Sequence, residues 1–319
     1  MSDDQLATSR AATAPAGSEL GLSTRSRADQ TVSTAAVLVA AAIKRSGTIA
    51  PGDGANRESD ALMGLRPAAM RRSRDNHAQP PLCPTMSQSA EQTAPIQINA
   101  DFEQRAVLRS ADARWQPSPL PGVERWMLDR VGGEVARATS LVRYAPGSRF
   151  ERHVHGGGEE ILVLDGVFSD DMGDYSAGTY LRNPPGSAHA PFSREGCLLF
   201  VKLRQFAVDD LQPVRIDTRA EPWRQGLAPS LSVMPLHEHN GVSTALVRWA
   251  PDTQFSAHTH PGGEEILVID GVFRDEFGAY PEGSWLRSPR WSRHTPFTGP
   301  EGALIYVKVG HFGAEPIGS

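Results

Sequence analysis

The stretch that decides the fold is HVHGGGEEILVLDGVF at residues 153–168, which recurs as HTHPGGEEILVIDGVF at residues 258–273. Segments that begin at Leu141 and Gly178 recur with the same offset of 105 residues. Agreement of this length without a gap is too extensive for chance. The sequence therefore carries two copies of one domain, and an internal repeat of this kind decides how the rest of the chain is interpreted.

The repeat predicts domains at residues 110–207 and 218–313, joined near residues 210–221. A length of 319 residues is compatible with two domains of ordinary size. Residues 1–100 are predicted to be a disordered extension, because no Phe, Trp or Tyr precedes Phe102 and such a segment buries too little apolar surface to offset its ordering entropy. Met86 is a second candidate for the natural start of the chain.

Composition excludes several classes of protein. With 32 basic and 37 acidic side chains, the net charge of −5 gives no reason to expect a nucleic-acid or anionic-membrane partner. Two cysteines exclude a disulfide framework and a Cys-rich zinc finger. The longest apolar run, Ala35 to Ile43, is too short to span a membrane, and the basic pair that follows it does not fit a signal peptide. We expect a cytoplasmic protein.

The repeated unit is predicted to be a β domain. Residues 160–164 form a short aliphatic and β-branched run that ends at Asp165-Gly166, which is a strong hairpin signal. Further strands are predicted at residues 198–203 and 304–309, and 30 glycines with 25 prolines favour frequent turns. Many short strands with regular turns predict an all-β fold, a sandwich or a barrel, with the jelly roll among the usual solutions.

Three histidines and one glutamate in each copy are the candidate site residues. His153 and His155 are two positions apart, so on a strand they point to the same side. Glu159 follows a glycine loop and can return an oxygen ligand, and His189 supplies a third imidazole. The equivalent residues of the second copy are His258, His260, Glu264 and His294.

Three imidazoles and a carboxylate suit a divalent transition metal, whereas calcium and magnesium prefer oxygen ligands. We predict one such metal per copy, zinc or iron(II), with manganese and nickel left open. Four protein ligands would close a tetrahedral zinc site but leave two positions open on octahedral iron. The identity of the metal therefore decides whether a substrate can coordinate directly.

The spacing GX5HXHX3EX6G from Gly147 to Gly166, followed by GX5PXGX2H from Gly178 to His189, resembles the two signature motifs of the cupin superfamily. More narrowly, the sequence resembles the ChrR-like cupins, which are named for the C-terminal domain of a zinc-dependent anti-sigma factor. The resemblance implies two tandem jelly-roll barrels with one metal each, held by the two sets of residues above.

The chain departs from this pattern in several places. The second copy has Asp252 in place of Gly147 and Trp291 in place of Gly186, and Trp291 is expected to fill space near the second metal. The two pockets would then admit different ligands. The N-terminal zinc-binding domain of the anti-sigma factor has no match, since residues 1–109 offer only His77 and Cys83. Binding of a sigma factor is therefore not expected.

Other candidate residues have simpler interpretations. His237 and His239 lack repeat partners and are predicted to be a surface feature rather than ligands. His311 is predicted to pack in the terminal strand. Cys197, whose counterpart by the offset is Gly302, is predicted to be a buried thiol, with a redox sensor as the alternative.

Repeat-equivalent pairs outside the ligand sets also need an interpretation. Glu160 and Glu265 are predicted to face away from the metals, although they could instead orient a histidine. Two pairs of arginines are predicted to lie on solvated strand faces, with anchoring of an anionic ligand as the alternative. They are Arg143/Arg248 and Arg182/Arg287. Phenylalanines predicted to lie in the core are Phe150/Phe255, Phe168/Phe273 and Phe192/Phe297.

Two functions are compatible with this reading. The resemblance implies a metal-dependent dioxygenase or related enzyme acting on a small organic substrate, with Glu159 as a ligand rather than a general base. The alternative is a zinc-binding sensor of the oxidative-stress type that acts through a separate partner protein. A metabolite-binding protein without catalysis is a third possibility. In each case the expected partner is a small molecule, and a homodimer is possible.

Overall fold

The computed structural model describes residues 96–133 and 135–313, which form an almost purely β structure. The only helical element among them is one short 3-10 turn, Ser110–Asp112, so the predicted all-β class is confirmed. The predictions for residues 1–95, including the extension, the start at Met86 and the apolar run, lie outside the described residues. Residues 96–98 of the segment predicted to be disordered form a strand.

The first half of the described chain contains eleven strands. They are β1 (Ile96–Ile98), β2 (Ala106–Leu108), β3 (Gln116–Pro117), β4 (Val123–Gly132), β5 (Ala136–Tyr144), β6 (His153–Val154), β7 (Glu159–Asp170), β8 (Gly173–Ser176), β9 (Thr179–Asn183), β10 (Ala188–His189) and β11 (Cys197–Leu203). None of the helices in residues 96–133 and 135–313 has the length and hydropathy needed to cross a membrane.

The second half repeats this series with ten strands. They are β12 (Val214–Asp217), β13 (Arg224–Gln225), β14 (Leu231–His239), β15 (Val242–Trp249), β16 (His258–His260), β17 (Glu264–Asp275), β18 (Gly278–Pro281), β19 (Trp285–Ser288), β20 (Ser292–His294) and β21 (Phe297–Val309).

Apart from β1, the two halves have the same sheet topology, with β13 at the position that β3 has in the first half. This is the predicted tandem arrangement of barrels. In barrel 1 the large sheet has the order β1-β4-β5-β11-β7-β9-β12, and β6 pairs with β10 in a small second sheet. In barrel 2 the large sheet has the order β13-β14-β15-β21-β17-β19-β2, and β16 pairs with β20. All the pairings among the described strands are antiparallel, including those between strands that are far apart in sequence.

The barrels exchange a strand. β2 lies between two strands of barrel 1 in sequence but pairs with β19 of barrel 2, where Val107 lies opposite Leu286. Reciprocally, β12 precedes barrel 2 but pairs with β9 of barrel 1, where Arg215 lies opposite Leu181. Part of the stretch predicted to be a connection, residues 214–217, is therefore a strand of the neighbouring barrel's sheet. The barrels pack against each other within one chain.

Both faces of the long strands are buried. Val142 and Tyr144 point into the core of barrel 1, whereas Leu141 points into a separate apolar core between the barrels. A strand buried on both sides carries a continuous apolar run, which is why residues 160–164 do not alternate between apolar and polar. Phe168 and Phe273 are each 1% exposed and confirm the core prediction. The other predicted core phenylalanines are half-buried: Phe150, Phe255, Phe192 and Phe297.

Charged side chains cross the contact between the barrels. Glu160 of barrel 1 accepts a hydrogen bond from Lys308 of barrel 2, and Lys202 of barrel 1 donates reciprocally to Glu265 at 2.6 Å. All four side chains are at most 2% exposed. Burial raises the pKa of Glu160, but Lys308 and Arg182 outweigh this effect and hold the pKa below its usual range. Glu160 and Glu265 therefore point away from the histidine triad of their own barrel, the three candidate metal-binding histidines, as strand alternation predicted, and contact the other barrel.

The solvated position predicted for Arg182 and Arg287 is wrong. They are only 2% and 1% exposed, because the other barrel and the exchanged segments cover this face of the strands. Arg182 donates to Glu160 at 3.2 Å, and Arg287 lies 3.4 Å from Asp129. Both guanidiniums are therefore committed to structural ion pairs.

The prediction of a solvated face is correct for the other arginine pair. Arg143 and Arg248 are exposed, and each stacks over a tryptophan. The distances from guanidinium carbon to ring centroid are 4.1 Å for Trp115 and 4.2 Å for Trp223. These contacts cover the outer surface of each barrel in the same way.

The histidines outside the repeated sets also take part in packing. His237 is 9% exposed, with Nε2 3.0 Å from Asp210 Oδ2, so its predicted surface position is wrong. It is buried because β14 lies against the contact between the barrels. His239 is half-buried beside Asp209. His311 packs as predicted, with Nε2 3.2 Å from Glu265 Oε2, but it lies two residues beyond β21 rather than in the strand.

Candidate metal centres

Barrel 1 brings together all four of its predicted site residues. His153 is on β6 and lies opposite His189 of β10, while His155 follows β6 at the edge of the glycine loop. One ring nitrogen from each histidine lies within 4.8 Å of the others. Glu159, the first residue of β7, places Oε2 3.4 Å from Nε2 of both His155 and His189. The β6–β10 pair and the residue that follows β6 therefore direct three imidazoles towards one point.

Barrel 2 repeats this arrangement more tightly. His294 Nε2 lies 3.0 Å from His260 Nε2 and 3.2 Å from His258 Nε2. Glu264 Oε2 is 3.5 Å from His260 Nε2 and 3.6 Å from His294 Nε2. These three histidines form the second cluster whose ligand atoms lie within 4.8 Å of one another.

Both triads fit a transition metal by the chemistry of their donor atoms. The Nε2 atoms of His155 and His189 are buried and have no hydrogen-bond partner among the described residues, which is costly unless a ligand satisfies them. In barrel 2 burial lowers the pKa of His258 to about 4 and that of His260 to about 2. Neutral imidazole is the form that binds a metal, so these rings are prepared for ligation at neutral pH.

Two aspartates that the sequence analysis missed lie beside the third histidine of each triad, and the one in barrel 1 is within hydrogen-bond distance. Asp170 Oδ2 lies 3.1 Å from His189 Nδ1, and Asp275 Oδ2 lies 3.7 Å from His294 Nδ1. A carboxylate at Nδ1 keeps the proton there and directs Nε2 towards the site. The two aspartates are separated by the same 105 residues as the histidines. Their occurrence at equivalent positions of the repeat could have identified them.

Replacing Asp170 with asparagine is expected to weaken metal binding in barrel 1 by about 10- to 100-fold, because the neutral amide, which can present either an oxygen or an NH2 group, fixes the tautomer of His189 less strongly than a carboxylate does. Competition with a chelator of known affinity measures the effect. Asp174→Asn is the matched control, since Asp174 of β8 makes an exposed ion pair with Arg194 and does not contact the triad. Equal affinities for the two variants would contradict the role assigned to Asp170.

The space beside the two triads differs about tenfold. The cavity of barrel 1 has a volume of about 340 Å³, whereas that of barrel 2 has about 30 Å³, which is enough for little more than one water molecule. Strand register explains the difference. Trp249 stands in barrel 2 where barrel 1 has Tyr144, and Leu231 stands where barrel 1 has Val123. The larger side chains fill the second barrel.

Trp291 is not the cause of the smaller cavity, so the prediction that it fills space near the metal is wrong. Its side chain is 69% exposed, and its backbone has a φ of +61°, compared with +86° for Gly186. Both residues donate a backbone N–H to the carbonyl of the second histidine of their triad, at 2.8 Å and 2.9 Å. The turn keeps its left-handed geometry and directs the indole outwards.

Cys197 is a buried thiol, as the simpler interpretation predicted. It is 5% exposed, and burial raises its pKa to about 11, so the reactive thiolate is scarce at neutral pH. It pairs with Tyr144 just as Ala303 pairs with Trp249. Its counterpart is therefore Ala303 rather than Gly302, because the second copy carries one extra residue between Phe297 and Ala303, within β21.

The fold and the paired triads define a two-barrel protein of the cupin class. The family model described as the ChrR cupin-like domain matches residues 103–207 and 211–313, so the chain belongs to this family. The two matches correspond to the two copies of the repeat.

Solved structures share this architecture at low sequence identity. A protein from Nostoc punctiforme titled a "putative dioxygenase" has a TM-score of 0.56 and 15% identity, over 67% of this chain and 85% of that chain. The protein YlbA from E. coli has a TM-score of 0.52 and 17% identity, over 70% of this chain and 97% of that chain. These likenesses concern the fold. No curated protein matches the chain.

Proposed function

We propose that the protein is a metal-dependent dioxygenase or a related enzyme that acts on a small organic substrate in barrel 1. The observation that supports this proposal is the cavity of about 340 Å³ beside the first triad. Pockets for small organic ligands begin at about 300 Å³. We further propose that the enzyme works in the cytoplasm and that its partner is this small molecule rather than a nucleic acid or a membrane.

In barrel 1 the metal would be held by His153, His155, His189 and Glu159. When bound there, iron(II) would supply a Lewis acid for substrate oxygens and a centre for dioxygen chemistry. Asn183 Nδ2 donates to Glu159 Oε2 at 3.0 Å and holds this carboxylate in place as a ligand rather than a mobile base. Asp170 retains the proton on His189.

The wall of the cavity contributes by excluding water. Val142, Tyr144 and Leu199 line it, and all three are buried. An apolar wall favours the organic part of a substrate and limits the access of competing water to the reacting groups. The walls of barrel 1 therefore provide binding energy that barrel 2, which has almost no free volume, does not offer.

The closed second site favours a structural role for barrel 2. Its predicted ligands are His258, His260, His294 and Glu264, and four protein ligands with no room for substrate are typical of structural zinc. This site is also the observation that favours the alternative function, a zinc-binding sensor that acts through a separate partner. In that case neither barrel would turn over a substrate.

The test is metal analysis of protein purified from its own host, followed by oxygen-uptake assays with diketones, phenols and flavonoids. We expect iron in the preparation and oxygen consumption with at least one of these substrate classes. Zinc bound stoichiometrically at both sites, with no oxygen uptake after reconstitution with iron(II), would exclude the dioxygenase and favour the sensor.

A further inference from the structure

The cavity of barrel 1 contains a cationic side chain that has no counterpart in barrel 2. Arg125 on β4 pairs with Val142, and the residue in the same register of β14 is Val233, which pairs with Val247. Arg125 lines the cavity together with the triad, and its Nε atom is buried without a hydrogen-bond partner. None of the ion pairs found among residues 96–133 and 135–313 involves Arg125.

A second guanidinium, buried more deeply than that of the half-buried Arg125, lies near the first. Arg130 is 7% exposed, and its Nη2 donates to the carbonyl of Gly133 rather than to a carboxylate. Burial and then the charge of Arg125 lower the pKa of Arg130. Two neighbouring guanidiniums that pair with no carboxylate among the described residues create a positive potential, which an anion would relieve.

The remaining lining of the cavity is mostly apolar. It includes Val123, Val142, Tyr144, Phe150 and Leu199. An inorganic anion such as phosphate would lose hydration against these side chains without making favourable contacts. An organic anion can place its charged end at Arg125 and its apolar part against the wall.

We propose that barrel 1 binds a small carboxylate-bearing organic molecule, with Arg125 gripping the carboxylate beside the metal triad. This inference names the substrate class of the proposed enzyme and rests on that function, although binding itself needs no turnover. The arginines that recur in both copies are committed elsewhere, to tryptophans or to buried ion pairs. The anion anchor is therefore a feature of one barrel and lies outside the repeated motif.

The test is isothermal titration of the full-length, zinc-loaded protein with matched pairs of probes: benzoate against benzamide, and hexanoate against hexanamide. We expect the wild type to bind each carboxylate about 10-fold or more tightly than its amide, because hydrogen bonds to a charged acceptor are strong. In Arg125→Gln the carboxylate should bind about 10-fold or more weakly, while the affinity for the amide is unchanged.

Two further variants serve as controls. Arg204→Gln removes an exposed guanidinium that lines the same cavity and should change carboxylate affinity by about 2-fold at most, since an exposed pair contributes little. Arg125→Lys keeps the charge but loses the bidentate geometry, and should give an intermediate affinity. It also provides a readout if Arg125→Gln folds poorly.

Several results would overturn the inference. One is an unchanged carboxylate affinity in Arg125→Gln, which would mean that the metal alone holds the anion. The others are equal binding of carboxylate and amide by the wild type, binding of inorganic phosphate as tight as that of benzoate, or no binding of any carboxylate.

The result of the carboxylate titrations can be distinguished from the result of the oxygen-uptake assays that test the proposed function. Arg125-dependent carboxylate binding in a protein without oxygen uptake would support the anion site and remove the dioxygenase. Oxygen uptake with an uncharged diketone that is unaffected by Arg125→Gln would support the dioxygenase and count against the anion site.

Discussion

Alanine at both His153 and His155 is expected to empty barrel 1 of metal while barrel 2 stays loaded, so that the metal bound per chain falls by half. The variant removes two of the three imidazoles that converge in barrel 1. The triad of barrel 2 belongs to its own two-stranded sheet and has its own carboxylate, so it does not depend on these rings. Elemental analysis of protein loaded and then dialysed under identical conditions measures the change. Under the proposed function, oxygen uptake should also be lost.

The chain supplies matched controls for this experiment. His258→Ala with His260→Ala should empty barrel 2 and retain the metal of barrel 1. His237→Ala with His239→Ala removes the other His-X-His pair, which lies outside both triads, and should leave the metal content unchanged. Circular dichroism establishes that each variant is folded. Simultaneous loss of both metals from a folded His153/His155 variant would show that the two sites are not independent.

Replacing Glu160 with glutamine is expected to lower the free energy of unfolding by about 3–5 kcal/mol, because it leaves a buried cation uncompensated. Lys308 is 1% exposed and reaches across from the other barrel, so no water can replace the lost carboxylate. Tyr306 also loses the charged acceptor of its hydroxyl. Denaturant unfolding, with metal content checked in parallel, measures the effect.

Glu124→Gln is the control, since Glu124 pairs with Arg143 at 3.5 Å on the surface, where such a pair is worth about 0–1 kcal/mol. Adding Lys308→Met to Glu160→Gln should recover part of the loss, because both buried charges are then removed. If Glu160→Gln costs no more than Glu124→Gln, the ion pairs between the barrels do not stabilise the fold.

The parts of the fold and site that could be predicted were those that spacing alone encodes. The two-residue spacing of His153 and His155 places both rings on one side of a strand, and repetition of the pattern made coincidence implausible. Glu159 could be added because it follows a short glycine loop. These three residues lie within seven positions of one another in the sequence. His189 is more distant, and it was identified by its repeat and by the resemblance to the cupin motifs.

The parts that could not be predicted depend on contacts between the two copies. Arg182 lies on a strand face that is buried by the other barrel together with the connecting segment, whose Phe206 and Asp210 contact its guanidinium. His237 and Lys202 are buried for the same reason, and no local spacing signals such a contact. The different cavity volumes depend on single substitutions, such as Trp249 for Tyr144, whose effect is visible only once both side chains are placed in register.

The reciprocal pairing of β2 with β19 and of β12 with β9 has a consequence for how this gene could arise and be divided. An ancestor with one copy could have formed the same contacts as a homodimer, in which one strand of each subunit paired with the sheet of the other. Fusion of two copies would then have placed these contacts within one chain. A fragment cut between the copies would expose the unpaired edge of β9 or β19, and an open edge invites association with another chain. Neither copy is therefore a self-sufficient module for transplantation into another protein.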